Sequence, residues 1–279
     1  MSEELVSADP VRLAAVQLCS GADRAANLEA VTRLVHEAAD CGCEVVCLPE
    51  MWPFIGADAD KVAGAEDLDG PSVSAMRELA VELGLWLFAG SFAERSDLVG
   101  QVYNSSPVVA PTGEVVAVYR KIHLFDIEMA AGPSFRESAT VTPGDQLVVV
   151  DSPLGRVGLS VCYDLRFPLL YEGLRAAGAE VLMVPAAFTA HTGAAHWELL
   201  LRARAVEQQC WVVAADQGGR HNPRRESYGN SMVVDPWGDI QARLEATPGL
   251  ALATVHPGRT RQVRRELPAL EHRRSIQGC

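Results

Sequence analysis

A cysteine, a glutamate and a lysine each follow a strand-like apolar run, and together they have the chemistry to hydrolyse an amide. Cys162 ends the run Gly158–Cys162 and precedes a turn, while Glu50 and Lys121 follow two other such runs. A thiol at the end of a buried strand can face a cleft on a rigid backbone, but it needs a neighbour to take its proton. Glu50 could take and return that proton, and Lys121, with the backbone N–H of Tyr163, could stabilise the oxyanion. These residues predict a cysteine amidase.

Each of the three residues taken singly has an ordinary structural explanation. Glu50 resembles a loop carboxylate, Lys121 next to Arg120 resembles a solvated basic pair, and a lone Cys162 resembles a buried core thiol. The prediction therefore rests on their combination. Because Met51 and Trp52 follow Glu50, we expect desolvation to raise the pKa of this carboxyl group, which suits a proton shuttle.

The elements that position these residues alternate between strand-like and helical patterns. The strand-like runs are 12–18, 44–48, 85–91, 103–110, 114–119, 146–150, 157–161, 181–185, 211–216, 231–234 and 250–255, and the helical runs are 27–40, 72–83, 169–177 and 196–208. Strands rich in Val and Leu indicate sheets that are covered on both faces. The turn Pro111–Gly113 predicts a hairpin, so the sheets are mixed. We expect a single α/β domain over residues 1–279, an α-β-β-α sandwich of two mixed sheets flanked by helices.

Composition excludes several classes of function. The formal net charge of −12 over 279 residues does not suit a protein that binds nucleic acid or an anionic membrane. Seven cysteines, an odd number, with several in apolar runs, are typical of free thiols in a reducing cytoplasm. The polar N-terminus lacks the apolar core of a signal peptide, and no apolar run approaches the ~18 residues of a membrane span. We therefore expect a soluble cytoplasmic protein.

The segment from His256 to the C-terminus differs in charge from the rest of the chain. It contains six Arg and two Glu. We expect this basic tail to be solvated or to lie at an interface between subunits, with a patch for an anionic partner as the alternative.

The chain resembles the nitrilase superfamily of carbon–nitrogen hydrolases from about residue 11 to residue 265. The resemblance rests on Leu-Pro-Glu50, on Tyr-Arg-Lys121-Ile-His-Leu-Phe-Asp and on Val-Cys162-Tyr-Asp-Leu-Arg-Phe-Pro. It implies an α-β-β-α sandwich with Glu50, Lys121 and Cys162 as the catalytic triad. It also implies a second catalytic glutamate, which matches Glu137 and would hold Lys121. Members assemble as homodimers or larger homo-oligomers, so the resemblance implies such an assembly.

Three downstream segments resemble the deaminated-glutathione amidase branch of that superfamily. They are residues 192–207, 217–221 and 227–238. This branch cleaves the amide of deaminated glutathione to give 2-oxoglutarate and cysteinylglycine. A related branch, the ω-amidases, hydrolyses 2-oxoglutaramate. The segment at residues 217–221 favours the first activity, and the ω-amidase activity is the alternative.

Both of these substrates carry carboxylates, so we expect a cationic pocket. Arg166 is predicted to form a forked hydrogen bond with a substrate carboxylate, and the alternative is that it pairs with a structural acid such as Asp164. Tyr163, Phe188 and Thr189 are expected to line the cleft and to bind substrate beside the nucleophile.

Other functions stay open at this stage. The same machinery could act on a nitrile or an N-carbamoyl compound, because pocket chemistry decides the substrate. In a different class, Cys162 could be the sensor thiol of a redox or interaction protein, a hypothesis that needs neither Glu50 nor Lys121. Cys41, Cys43 and Cys47 fit no zinc spacing, and no phosphate loop or dinucleotide fingerprint occurs. We therefore expect no metal and no cofactor.

Overall fold

Most of the chain forms β-strands and helices in the computed structural model, which describes residues 9–128 and 134–274. The six α-helices of this part are α1 (Arg24–Asp40), α2 (Asp58–Ala63), α3 (Pro71–Leu83), α4 (Pro168–Ala176), α5 (Ala190–Gln208) and α6 (Pro257–Glu266). Its strands are β1 (Val11–Gln17), β2 (Val45–Cys47), β3 (Trp86–Phe88), β4 (Phe92–Arg95), β5 (Val102–Val109), β6 (Val115–Arg120), β7 (Asp126–Ile127), β8 (Phe135–Arg136), β9 (Val149–Ser152), β10 (Gly155–Leu159), β11 (Val181–Ala186), β12 (Trp211–Asp216), β13 (Gly218–Asn222), β14 (Arg225–Tyr228), β15 (Met232–Val234), β16 (Ile240–Arg243) and β17 (Gly249–Val255). Short 3₁₀ helices cover Glu137–Ala139 and Cys162–Arg166.

Two large sheets contain most of these strands. One sheet has the order β17-β1-β2-β3-β5-β4, with β6 paired to β5, and the other has the order β16-β15-β12-β11-β10-β9. Each sheet has a parallel centre, β1-β2-β3 in the first and β10-β11-β12 in the second, and antiparallel strands at its sides. Both sheets are therefore mixed, and the parallel central strands end at one edge of each sheet.

Alternation along strand β1 shows how the sheets stack. Leu13 and Ala15 belong to a core cluster that also contains Val157, Met183 and Val213 of the second sheet. The alternate residues of β1 belong to another cluster, shared with helices α1 and α3. Because successive side chains of a strand point to opposite faces, the first sheet has one face against the second sheet and one against helices.

The outer helices cover the sheets with one apolar stripe each. Helix α1 buries Val31, Leu34, Val35 and Ala38, the spacing of a single helical face, and Asp23 caps its first turn by accepting hydrogen bonds from backbone N–H groups. Helices α4 and α5 contribute buried side chains to the cluster of the second sheet. The predicted α-β-β-α sandwich is confirmed.

Several elements differ in extent from the predictions. The predicted hairpin around Pro111–Gly113 is present as β5 and β6. Helix α5 begins at Ala190 rather than near His196, because residues 190–195 include no proline and continue the helical backbone. Strand β16 was not predicted; it follows a turn in which Asp235 accepts hydrogen bonds from the N–H groups of Trp237 and Asp239.

The basic segment after His256 is partly helical. Helix α6 packs on its own chain through buried Val263, and Arg259 forms an ion pair with Asp235 at 3.0 Å. Its predicted place at a subunit interface stays a prediction. Within residues 9–128 and 134–274, no helix has the length and apolar character needed to cross a membrane.

Candidate active site

The three predicted catalytic residues meet where strands of the two sheets end. Glu50 comes shortly after β2, Lys121 directly follows β6, and Cys162 opens the 3₁₀ helix after β10. All three side chains are almost fully buried, at 3%, 2% and 7% exposure respectively, and all three line one cavity. The structure therefore brings together residues that are spread over a long stretch of the chain, from Glu50 to Cys162.

Lys121 is shared between two carboxylates. Its Nζ donates to Oε1 of Glu50 at 2.9 Å and to Glu137 at 2.8 Å (Oε2) and 3.1 Å (Oε1). Glu137 also accepts a hydrogen bond from the backbone N–H of Phe125 at 2.6 Å. Asn104 Nδ2 donates to Oε1 of Glu50 at 2.8 Å and contacts Glu137 at 3.4 Å. The ammonium, the two carboxylates and the amide form one hydrogen-bonded cluster, so Glu137 takes the position the resemblance implied.

Two glycines allow the chain to approach this cluster closely. Gly144 donates to the carbonyl of Lys121 at 2.8 Å, and a Cβ at Gly144 would collide with the carbonyl of Arg120. Gly90 has φ +59°, and a Cβ there would collide with the carbonyl of Pro49, next to Glu50. Any larger residue at either place would move the backbone that carries Lys121 or Glu50.

The backbone at Cys162 is held in a strained turn. Its φ is +50°, in the left-handed region that residues with a Cβ rarely adopt. Asp164 fixes this turn, because its carboxylate accepts hydrogen bonds from the N–H of Val161 (2.9 Å), the hydroxyl of Tyr119 (2.7 Å) and both the N–H and Nδ1 of His123 (3.0 and 2.7 Å). A fully buried carboxylate with four donors keeps the thiol pointing into the cavity.

Glu50 is held from the opposite sheet as well as by Lys121. Its Oε2 accepts a hydrogen bond from the N–H of Ala187 at 2.8 Å, just after β11. Its backbone N–H donates to the carbonyl of Ala186 at 3.3 Å, and its carbonyl accepts from Gln217 Nε2 at 3.1 Å. Both carboxylate oxygens therefore have donors, which fix the orientation of the group.

The charges of the cluster follow from these contacts. Burial alone would raise the pKa of Glu50, but the Lys121 ammonium and the hydrogen bond from the Cys162 thiol lower it below the ordinary value of 4.5. The expectation of a raised pKa was wrong, because it counted desolvation and not the ion pair. Burial would lower the pKa of Lys121, but Glu137 and Glu50 raise it well above its usual value. Glu50 is thus a carboxylate and Lys121 an ammonium at neutral pH.

Cys162 rests as a neutral thiol. Burial and then the negative charge of Glu50 raise the pKa of Cys162 well above the ordinary 9.0, against the smaller opposing effect of Lys121. A thiol with a raised pKa needs a base to take its proton before it can attack, and Glu50 is the carboxylate whose charge acts on it. This arrangement supports a base-assisted nucleophile rather than a thiolate formed in advance.

The cavity above the cluster has a volume of about 690 Å³. Tyr163, Phe188 and Thr189, which the sequence predicted to bind substrate, all line it. Among the described residues, more cationic than acidic side chains line it. The cations are Lys61, Lys121, Arg136, Arg224 and Arg225, and the acids are Glu50, Asp58 and Glu137. The cavity is locally positive although the whole chain carries a net charge of −12, which favours an anionic ligand.

Arg166 lies outside the described cavity wall. Its guanidinium stacks over Phe188 at 5.1 Å and lies 5.7 Å from the ring centre of Tyr163, and its Nη1 is 3.3 Å from Nδ1 of His196. The structure does not pair it with Asp164, whose oxygens are used by other donors. A contact between Arg166 and a substrate carboxylate stays a prediction.

Sequence reasoning missed three residues of the site. Asn104 lies inside strand β5, and its place in the site depends on the register of β5 against β6, which the predicted hairpin turn does not determine. Asp164 was considered only as a partner for Arg166, whereas it fixes the turn at Cys162. Arg225 lies in a hairpin that the strand patterns did not reveal.

Comparison with known proteins agrees with this geometry. Residues 12–265 match the carbon-nitrogen hydrolase family. A protein called deaminated glutathione amidase from Homo sapiens is 46% identical over 267 residues, which cover 94% of this chain and 82% of that protein.

Two crystal structures share the fold. The NitFhit protein of Caenorhabditis elegans has a TM-score of 0.88 and 38% identity, over 95% of this chain and 65% of the other, so this chain spans less than two thirds of that protein. Nit3 of Saccharomyces cerevisiae, described as a member of branch 10 of the nitrilase superfamily, has a TM-score of 0.86 and 28% identity over 95% of this chain and 97% of the other. The chain belongs to the carbon–nitrogen hydrolase family of the nitrilase superfamily.

Proposed function

We propose that this protein is an amidase that hydrolyses deaminated glutathione to 2-oxoglutarate and cysteinylglycine, with Cys162 as the nucleophile. The observation that carries the proposal is the buried cluster in which Lys121 joins Glu50 and Glu137 on the wall of the cavity that contains Cys162. The relative from Homo sapiens bears the name of this activity and aligns over 94% of the chain, which supports the choice of substrate.

The first half of the proposed reaction breaks the C–N bond. Glu50 takes the thiol proton as the sulfur of Cys162 attacks the amide carbon, and the carbonyl oxygen becomes an oxyanion. Lys121 and the backbone N–H of Tyr163 stabilise that oxyanion, an effect that is typically worth about 10²–10³ in rate for each donor. Protonated Glu50 then gives its proton to the nitrogen of the departing cysteinylglycine, which leaves a thioester on Cys162.

The second half of the proposed reaction restores the enzyme. Glu50, again a carboxylate, takes a proton from water, and the resulting hydroxide attacks the thioester carbon. The tetrahedral intermediate collapses with release of 2-oxoglutarate, and the sulfur recovers a proton from Glu50. One water is consumed and no other reactant is needed. Glu137 keeps the ammonium of Lys121 in place throughout, which is its proposed role.

The local charge of the cavity supports a carboxylated substrate. Five cations and three acids line it among the described residues, and one of the cations, Lys121, is already bound to Glu50 and Glu137. Deaminated glutathione carries a carboxylate at each end, so the positive charge of the cavity attracts it. Neutral amides and nitriles gain nothing from this field.

Parallel assays test the substrate. Purified protein is incubated with deaminated glutathione, 2-oxoglutaramate and a simple aliphatic nitrile, and 2-oxoglutarate and ammonia are measured. We expect the highest kcat/KM for deaminated glutathione, with 2-oxoglutarate formed and no ammonia. A higher kcat/KM for 2-oxoglutaramate, with ammonia, would instead identify an ω-amidase. Turnover of the nitrile alone would contradict both assignments.

We further propose that the protein works as one domain over residues 1–279 in a reducing cytoplasm and assembles as a homodimer or larger homo-oligomer. Six described cysteines are free thiols, and four of them are buried, which suits a reducing compartment. The Arg-rich segment after His256 is proposed to reach the subunit interface. Light scattering during size-exclusion chromatography measures the mass, and a mass near 30.0 kDa would contradict the assembly.

A further inference from the structure

Arg225 is a cation of the cavity wall that has no acidic partner among the described residues. Lys121 contacts Glu50 and Glu137, and Lys61 contacts Asp58 at 2.7 Å, but no described residue forms an ion pair or a side-chain hydrogen bond with Arg225. The side chain is half-buried. A guanidinium offers five donors in a planar fork that matches a carboxylate, so this residue has unused capacity that faces the cavity.

His221 fixes the hairpin that carries Arg225. The hairpin consists of β13 and β14, and His221 lies near its tip. Its Nδ1 is 2.7 Å from the carbonyl oxygen of Ser20, which only accepts, so Nδ1 carries the proton. Its Nε2, 2.9 Å from the hydroxyl of Ser227, then accepts from that hydroxyl. Burial lowers the pKa of His221 to about 4, which keeps this neutral form at physiological pH.

Strand β14 is also tied to the wall on the nucleophile's side of the cavity. The N–H of Tyr228 donates to the carbonyl of Phe188 at 2.8 Å, and Ser227 forms a β-bridge with Thr189. Phe188 and Thr189 line the cavity together with Cys162. The hairpin that carries Arg225 is therefore fixed by His221 and by its contacts with Phe188 and Thr189. Its backbone needs little further ordering when Arg225 binds an anion.

The positive charge of Arg225 acts on Glu50 inside the site. After burial and the larger effect of Lys121, Arg225 is among the groups that set the lowered pKa of Glu50. The guanidinium is thus within electrostatic reach of the reacting groups, although it contacts none of them. An anionic group of a substrate that occupies the cavity lies in the same field.

We propose that Arg225 binds a carboxylate of the amide substrate and thereby makes the enzyme select carboxylated amides over neutral ones. This inference rests on the proposed amidase function and adds to it a residue that determines specificity. The bond is a charge-assisted, two-pronged one between guanidinium and carboxylate, with no covalent step. Deaminated glutathione offers two such carboxylates, the one next to its ketone and the one of its glycine.

The contact is tested by combining a change in the protein with a change in the substrate, in the manner of a double-mutant cycle. Arg225→Gln and the unaltered enzyme are assayed on deaminated glutathione and on two analogues, each with one carboxylate converted to a carboxamide. We expect Arg225→Gln to lower kcat/KM for deaminated glutathione about 10- to 100-fold, mainly through KM. For the analogue that lacks the bound carboxylate, the same substitution has little further effect, and that analogue identifies which carboxylate Arg225 holds.

Arg220→Gln is the matched control. It removes the same charge from the same hairpin, but Arg220 is exposed on β13 and lies outside the cavity wall. We expect its kcat/KM to stay within about twofold of the unaltered enzyme, since exposed substitutions have small effects. Equal losses for Arg225→Gln on the charged substrate and both analogues, or an altered pH profile with unchanged KM, would overturn the inference and assign Arg225 to tuning of Glu50.

A binding measurement separates failure of this inference from failure of the proposed function. Titration calorimetry follows the binding of 2-oxoglutarate and of cysteinylglycine, which between them carry both candidate carboxylates, to Cys162→Ala protein with and without Arg225→Gln. If deaminated glutathione is not hydrolysed but Arg225→Gln weakens binding of either carboxylate about 10-fold or more, the proposed substrate is wrong and the carboxylate site stands. Unchanged affinity for both compounds would overturn the role of Arg225 whatever the substrate is.

Discussion

Lys121 Nζ lies 2.9 Å from Oε1 of Glu50 while Glu137 holds the same ammonium at 2.8 Å, so one buried cation serves two carboxylates. The cluster consequently keeps a net negative charge. Burial, and then the negative charge of Glu50, explain why the pKa of the neighbouring Cys162 thiol is raised and not lowered. In the proposed mechanism the reactive thiolate is therefore formed within the reaction, when Glu50 accepts its proton and becomes neutral.

The two glutamates are predicted to fail in different ways. Glu50→Gln removes the proton acceptor, and we expect kcat to fall about 10²–10⁴-fold, the range of general acid–base catalysis. Glu137→Gln leaves that acceptor in place and loosens Lys121, so a smaller loss of kcat is expected. Steady-state kinetics on deaminated glutathione gives both values.

Glu94→Gln is the control for loss of a buried, ion-paired carboxylate. Glu94 contacts Arg120 and lies outside the cavity wall, so its loss is expected to affect stability more than kcat. A kcat for Glu50→Gln equal to that of Glu94→Gln would remove Glu50 from the proposed mechanism.

The pH profile follows from the directions of the pKa shifts. Because the pKa of Glu50 lies below 4.5 in the folded protein, its carboxylate persists as pH falls and is protonated only below the ordinary carboxyl range. Glu50 also stabilises the fold as a carboxylate. This stabilisation is fully present above the pKa of Glu50 in the unfolded chain and is lost as pH falls through its lower pKa in the folded protein. The raised pKa values of Cys162 and Lys121 place no titration of these groups near neutrality.

We therefore expect kcat/KM to be flat from about pH 5.5 to pH 8.5 and to fall on the acid side. Initial rates in constant-ionic-strength buffers measure this. A rise in kcat/KM through neutral pH, following ionisation of a thiol, would show that a preformed thiolate attacks the substrate.

The turn at Cys162 depends on the buried hydrogen bond between Tyr119 and Asp164. Tyr119→Phe leaves Asp164 with one donor fewer, and we expect a loss of about 1–3 kcal/mol in the free energy of unfolding and a lower kcat. Urea denaturation and steady-state kinetics measure the two effects. Tyr171→Phe also removes a buried hydroxyl, one bonded to Ser160, and is expected to lower stability without lowering kcat. Equal kcat values for the two variants would show that the hydrogen bond from Tyr119 to Asp164 does not contribute to catalysis.

The sequence predicts the site well where a residue lies at the end of its own strand. Glu50, Lys121 and Cys162 each follow an apolar run, and the ends of parallel strands in stacked sheets lie together, so their meeting was predictable. Asn104 lies within β5, and only the pairing of β5 with β6 brings it to the cluster. In this pairing the N–H of Lys121 donates a hydrogen bond to the backbone carbonyl of Asn104 at 2.9 Å. The turn at Pro111–Gly113 predicts this hairpin, but it does not predict the register that pairs Ser105 with Arg120 and so brings Asn104 to Lys121.

The pKa shifts and side-chain contacts of the site were harder to predict than the identity of its residues. A carboxyl group among Met51 and Trp52 has a raised pKa if burial acts alone, yet the ion pair with Lys121 reverses the sign. Likewise the stacking of the Arg166 guanidinium on Phe188 did not follow from the spacing of Arg166 to Cys162. Both outcomes depend on which side chains meet in space, and spacing along the chain does not determine that.

The most direct test of the account is the rate of cysteinylglycine release from deaminated glutathione by Cys162→Ala protein. We predict a loss of at least about 10³-fold in kcat with an unchanged melting temperature, because the substitution removes only the attacking sulfur. Cys210→Ala, which changes a buried thiol outside the cavity wall, is predicted to keep its kcat. A Cys162→Ala protein that releases cysteinylglycine at the rate of the unaltered enzyme would contradict the assignment of Cys162 as the nucleophile.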